Sequence, residues 1–390
     1  MVPLKKLLKH MIETDASDIY LTVGLPPMFR VEGIVERYEG GVEILTAEDT
    51  QEVAYSIMNE RQKRRFEEEF EMGLALFYPD LGRFRVSIFR QMGHVGVIIR
   101  QIKIQIKTID DLGLPQILKD IVMTKRGLVL VVGATGTGKS TTLAAMVDYR
   151  NENEKGHIIT VEDPIEFVHH HKKSVITQRE IGFDTLSYAN ALKYTLRQAP
   201  DVILIGEVRD TDTMEAAIGF AETGHLCLGT LHANNANQAL ERIMNFFPAE
   251  QQPQIFMQLS LNLRAIVSQR LIPDVAGKRV AAIEILLDTP RVKDLIAQQD
   301  ISMLKEAMSL GYHEGMQTFD QSIFDLYAAQ RIDYQHAISY ADSQNDLRLR
   351  IKTSEVRKDK VLEKQDKGLK LEWDGQQGWS SRDSGKKRDA

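Results

Sequence analysis

Leu128-Val129-Leu130-Val131-Val132 is followed by Gly133-Ala134-Thr135-Gly136-Thr137-Gly138-Lys139-Ser140, and then by Thr141-Thr142-Leu143-Ala144-Ala145-Met146-Val147. The fold of the chain turns on this stretch. Five consecutive aliphatic residues ending at a glycine have the pattern of a strand buried on both faces. Beyond Ser140, the residues Leu143, Met146 and Val147 share one helical face. The residues between fit G-x-x-x-x-G-K-[ST] at every fixed position, in the strand–loop–helix context that the pattern requires. Glycines let the backbone approach an anion and turn its N–H groups inward at the positive end of a helix. Gly133, Ala134, Thr135, Gly136, Thr137, Gly138, Lys139, Ser140 and Thr141 are therefore expected to bind ATP. Lys139 would reach the β- and γ-phosphates, and the Ser140 hydroxyl would complete the shell of a Mg²⁺ ion.

Outward from this loop, other apolar runs end in polar residues. Residues 158–161 run into Glu162, Asp163, Pro164, Ile165 and Glu166; residues 202–205 run into Gly206, Glu207, Val208, Arg209 and Asp210; residues 226–231 run into His232. Alternating strands and helices imply a parallel sheet, whose strand ends share the edge that carries the phosphate loop. Hydrolysis needs one carboxylate on the metal side and one to activate water. Glu207 is the candidate for the first role and Glu162 for the second, with the reverse assignment open. His232 can sense the γ-phosphate, whereas His225 precedes its strand and lies farther off by topology. His169, His170 and His171 cannot all face one ion on regular structure, so a solvated loop is expected there.

The chain has 390 residues, a net charge of −6 and 43% apolar residues. That length fits two domains better than one. Mild acidity gives no support for a nucleic-acid binder. Cys227 is the only cysteine, which excludes an internal disulfide or a cysteine zinc site and suits a reducing cytosol. No apolar run approaches the length of a membrane helix, and the Lys/Leu mixture at the start lacks the core of a signal peptide.

The expected divisions are a smaller α+β unit at 1–107, a hinge at 108–116, an α/β ATPase domain at 117–345 and a charged, disordered tail at 346–390. In the first unit Leu4, Leu7, Leu8 and Met11 mark an amphipathic helix, and strands are expected at 19–23, 28–31, 74–78, 82–90 and 95–102. Residues 83–90 alternate charged and apolar residues almost strictly, so one face packs and the other carries arginines; this strand offers Arg83, Arg85 and Arg90. Arg100 lies nearby in sequence, before the hinge. An arginine from such a unit could reach a γ-phosphate. The tail holds 13 Lys/Arg against 9 Asp/Glu, with Trp373 and Trp379.

These residues together resemble the secretion-superfamily hexameric ATPases, most closely the PilT/PilU pilus retraction motors, over about residues 5–345. The supporting segments are 16–21 with 24–27, 82–86, the phosphate loop, 158–167 (similar to the family's aspartate box), 201–210 (its atypical Walker B) and 223–234 (its histidine box). The resemblance implies a PAS-like N-terminal domain, a RecA-like P-loop domain and a homohexameric ring in the cytoplasm. That ring would be peripherally associated with the inner membrane at the pilus base, against an inner-membrane platform protein. It implies ATP hydrolysis driving pilus retraction and twitching motility, with Glu162, Glu207, His225 and His232 functional and Arg85 and Arg100 reaching the nucleotide. Residues 289–298 keep only part of the late helix typical of PilT. With the extra tail, this points to the PilU branch and to work beside a paralogous PilT-type motor. A pilus-assembly or type II secretion ATPase, which usually carries a four-cysteine zinc site, and a RecA-like nucleic-acid motor are the alternatives. A GTPase is disfavoured by the lack of an Asn-Lys-x-Asp motif.

Overall fold

The computed structural model of the chain describes residues 3–354, other than 32, 42, 103 and 104. The N-terminal part begins with α1 (Leu4–Glu13), β1 (Asp18–Leu21), β2 (Met28–Val31) and β3 (Ile34–Arg37). It continues with α2 (Ala47–Ile57), α3 (Glu60–Glu69), β4 (Glu71–Tyr78), β5 (Gly82–Gln91) and β6 (His94–Ile102). The six strands form an antiparallel sheet in the order β3-β2-β1-β6-β5-β4. The alternation in β5 is realised as expected. Phe84, Val86 and Ile88 are fully buried with Leu7, Leu8 and Met11 of α1 and Phe66 of α3. Arg83 and Arg85 stand on the other face, with Arg85 paired in register with Arg100 of β6. Helices α2 and α3 start in reciprocal capping boxes, Thr46 with Asp49 and Asn59 with Gln62.

A second sheet follows, in the order β13-β12-β7-β11-β10-β8-β9. Its chain order is α4 (Ile117–Val122), β7 (Gly127–Val132), α5 (Lys139–Asn153), β8 (His157–Glu162), β9 (Val175–Glu180), α6 (Tyr188–Thr195), β10 (Val202–Ile205), α7 (Thr211–Glu222) and β11 (Leu226–Leu231). Next come α8 (Ala236–Met244), α9 (Gln252–Asn262), β12 (Leu263–Pro273), β13 (Arg279–Leu287), α10 (Pro290–Ala297), α11 (Leu304–Leu310), α12 (Phe319–Ala328) and α13 (Tyr334–Tyr340). All strand pairs from β12 to β9 are parallel; only β13 is antiparallel. The chain is thus of the α/β class, with a mostly parallel sheet preceded by an antiparallel one. Every residue of β7 and β11 is buried, as two helix-covered faces require. The carboxyl ends of β7, β8, β10 and β11 share one edge.

Residues 108–116, the expected hinge, form turns in which Ile109 and Leu114 are buried in the core beneath the second sheet. The charged tail starts later than 346. Residues 344–354 are helical, and Leu347 and Ile351 pack with Phe319, Ile323 and Ile338. Charge counts hid these two apolar residues one helical turn apart. The rest of the tail, including both tryptophans, lies outside the described residues. The two sheets meet at an ion pair, Arg83 Nη2 to Glu180 Oε2 at 2.7 Å. No helix among the described residues is long and apolar enough to cross a membrane.

Candidate active site

The loop between β7 and α5 forms the floor of a cavity of about 500 Å³ at this shared edge. Gly138 caps α5 at φ +88°, a left-handed conformation natural to glycine, and a Cβ there would lie 2.9 Å from Gln269 Nε2. Lys139 is nearly buried, and its Nζ donates to the carbonyls of Gly133 (2.8 Å) and Ala134 (3.0 Å). Burial lowers the proton affinity of its amine below the ordinary lysine range, while Glu207 and Glu166 oppose the shift.

Gln269 of β12 is a residue that motif reading missed. Its Nε2 donates to the Thr137 carbonyl at 2.7 Å, and its Oε1 accepts from Thr142 Oγ1 at 2.7 Å. It therefore ties the loop and the first turn of α5 to a strand far away in sequence. No local signal marks a glutamine in a strand as a loop clamp.

Around the cavity stand Glu162 and Asp163 at the end of β8, Gly206 and Glu207 after β10, and Thr230 and His232 at the end of β11. Glu162 accepts from Thr160 Oγ1 at 2.6 Å, and Gln178 Nε2 lies 3.4 Å from the same oxygen. Burial nevertheless raises its carboxyl above the usual range, against those hydrogen bonds and the nearby His169. His232 Nε2 lies 3.4 Å from Glu207 Oε1. Burial, helped by Lys139, lowers the His232 imidazole below its ordinary value, and Glu207 pulls the other way. His232 is thus biased toward neutrality.

The sequence-derived set separates into those the cavity gathers and those it does not. Thr135, Gly136, Gly138, Lys139, Ser140, Thr141, Glu162, Glu207 and His232 line it; Gly133, Ala134 and Thr137 belong to the same loop. His225 does not join them. It sits before β11 at the opposite sheet edge, six strand residues or roughly 20 Å from His232. There its ring contacts Thr223 Oγ1 and its carbonyl accepts from Gly127 N–H. A ligand held by the loop of this chain is out of its reach.

Arg85 and Arg100 line a neighbouring crevice with Pro164, Ile165, Glu166 and Phe167. Pro164, Glu166 and Phe167 are common to both hollows, so the crevice shares a wall with the cavity. Arg100 Nε is held by buried Asp18 at 2.8 Å, whereas Arg85 has no ion pair among the described residues. Arg90 is committed to Glu67 of α3. In the histidine run, His170 and His171 are exposed loop residues as expected, and only His169 departs. His169 is recessed in the cavity wall, 3.9 Å from Asp148, because its backbone N–H is fixed by Gln178 Oε1 at 2.8 Å.

A glycine-lined loop at the N-terminus of a helix, facing two carboxylates and a neutral-leaning histidine, defines a P-loop nucleotide-binding protein. The Type II/IV secretion system protein family matches residues 2–317. Type IV pilus ATPase PilU of Pseudomonas aeruginosa is 52% identical over 369 residues, covering 94% of this chain and 96% of that one. The Type IV pilus retraction ATPase PilT of the same organism is 42% identical over 334 residues, covering 86% and 96%. The crystal structure of the pilus retraction motor PilT with bound ADP superposes with a TM-score of 0.84 at 39% identity, covering 89% of this chain and 99% of that one. The chain belongs to the Type II/IV secretion system protein family and, within it, to the PilT/PilU group.

Proposed function

We propose that this chain is a cytoplasmic ATPase whose turnover drives retraction of a type IV pilus. The observation that carries this reading is the convergence of Lys139, Glu162, Glu207 and His232 on one glycine-floored cavity, in a chain similar over nearly its whole length to pilus ATPases. The antiparallel sheet is a PAS-like lobe and the larger sheet a RecA-like lobe, divided near residues 107 and 117. The motor is a homohexamer docked on an inner-membrane platform protein, working beside a paralogous PilT-type motor. Nucleic acid is not a partner.

Residues Gly133–Thr141 bind the triphosphate through backbone N–H groups and the Lys139 ammonium. Ser140 and Glu207 fit a Mg²⁺ ion. They line the same cavity, and among the described residues no cluster of three His, Cys, Asp or Glu side chains could hold a metal on its own. Ser140 and Glu207 would supply part of the oxygen shell such an ion prefers. When bound, it neutralises charge developing on the phosphates. Glu162, with its raised proton affinity, takes the proton of the attacking water. His232, neutral and beside Glu207, reports the γ-phosphate to β11 and α8. Arg85 and Arg100 reach a nucleotide by closing the crevice against the shared wall, or from the next subunit.

The test pairs turnover with pilus retraction in cells. Lys139→Ala is expected to lower ATP hydrolysis at least 100-fold and abolish retraction. Glu207→Gln is expected to bind nucleotide yet hydrolyse it poorly. Normal turnover in Lys139→Ala would overturn the site, and unchanged hydrolysis in Glu207→Gln would move its role to Glu162.

A further inference from the structure

We propose that Tyr188 is a further catalytic residue, whose phenol donates a hydrogen bond to the water that attacks the terminal phosphate. This role rests on the ATP-cleaving reading of the cavity. Tyr188 is the first residue of α6, fixed there by Ser187, whose hydroxyl accepts from Asn190 N–H at 3.2 Å. Its ring is 4% exposed and packs in the main core with Val161, Ile205 and Val208. Tyr188 is nevertheless one of the residues that line the nucleotide cavity.

The hydroxyl occupies a notch between the ends of β8 and β10. A Cβ built on Gly206 would lie 3.1 Å from this oxygen and 3.0 Å from Glu162 Cα. Gly206 thus leaves open the space in which Tyr188 meets the two carboxylate-bearing strand ends. The hydroxyl is buried and, among the described residues, closes no hydrogen bond; the Glu207 backbone N–H acts on it from outside hydrogen-bond geometry. A buried hydroxyl without a partner is costly, so one on a residue of a cavity wall is expected to find its partner in what enters. The notch lies beside Glu162, the group placed to accept a proton. Burial and Asp163 make the phenol hold its proton more tightly than an ordinary tyrosine, although Arg209 stacks on the ring at 5.2 Å and opposes this. The phenol therefore stays protonated and acts as a donor throughout the working pH range.

In the step itself, the water oxygen forms a bond to the terminal phosphorus. The bond from that phosphorus to the bridging oxygen breaks, and ADP leaves with the electron pair. The water proton passes to the Glu162 carboxylate, and Tyr188 keeps its own proton while fixing the water's lone pair toward phosphorus.

Tyr188→Phe preserves the ring and the arginine stack and removes only the oxygen. With full-length protein, ATP turnover is expected to fall 10- to 100-fold. KM for ATP, affinity for ADP and the melting temperature should stay near the parent values. A kcat within twofold of the parent, or a loss confined to nucleotide affinity, would overturn the assignment. A fluorinated tyrosine at position 188 gives an independent readout if the phenylalanine variant folds poorly. Its more acidic phenol is expected to add a descending alkaline limb to the kcat profile, and an unchanged limb counts against the role. If the parent itself leaves ATP intact, the reading of the cavity fails along with it. An active parent beside an equally active Tyr188→Phe sinks the tyrosine alone.

Discussion

Glu162 illustrates how single contacts set a chemical property. Its carboxylate sits in a recess that favours the protonated form, and the Thr160 hydroxyl partly restores the charged one. A base must be deprotonated to act, so hydrolysis is expected to rise with pH through the raised value for Glu162. Thr160→Val keeps the shape of a fully buried side chain and removes the donor. The acid limb of the kcat/KM profile is then expected to move to higher pH. A limb that stays in place or moves down would separate Glu162 from the proton transfer. Gln269 is a second case. Gln269→Leu leaves the Thr137 carbonyl and the Thr142 hydroxyl without their partner. Nucleotide affinity is expected to fall about tenfold, or about 1.4 kcal/mol, measurable by calorimetric titration with ADP.

At the level of elements, β5 puts two arginines on one face with opposite duties. Arg83 is joined to Glu180, whose carboxylate is almost wholly buried and is raised by that burial despite the arginine. Removing Arg83 strands this acid between the sheets, and breaking such a pair costs about 3–5 kcal/mol. Arg85, exposed and without an ion pair among the described residues, should cost the fold less than about 0.5 kcal/mol when changed to alanine. Arg85→Ala is expected instead to reduce hydrolysis at least tenfold. Chemical denaturation and turnover, measured on both variants, separate the two duties; loss of fold in Arg85→Ala would make it structural. The helix at 344–354 is testable in the same way. Leu347→Ala, at a residue 1% exposed, is expected to cost about 2–5 kcal/mol, whereas a solvated tail would show no change.

For the whole molecule, the arrangement of the arginines matters most. Arg85 and Arg100 stand across a shared wall from the cavity rather than within it. One chain therefore holds its nucleotide loop and its arginines apart, and their meeting requires rotation between the sheets or a neighbouring copy. Specific ATPase activity is expected to climb steeply with protein concentration, in step with a six-chain species in native mass spectrometry with nucleotide. Full activity in a chain that stays monomeric would remove the need for a ring.

What the sequence determined by itself was whatever is written in short-range pattern. The buried strand, the glycine loop and the helix after it are contiguous, so local sterics and periodicity suffice to place Lys139 and Ser140. The ends of β8, β10 and β11 were also legible, because parallel topology sends successive strand ends to one edge, and Glu162, Glu207 and His232 follow from that rule. It likewise placed His225 farther from the loop, and the fold sets it at the opposite edge. Only the tertiary structure could decide that Gln269 clamps the loop, that Tyr188 reaches into the notch left by Gly206, and that His169 is recessed rather than solvated. Each depends on strands or helices remote in sequence packing side by side. Burial, partner and acidity of a side chain are properties of that packing, and no run of neighbouring residues encodes them.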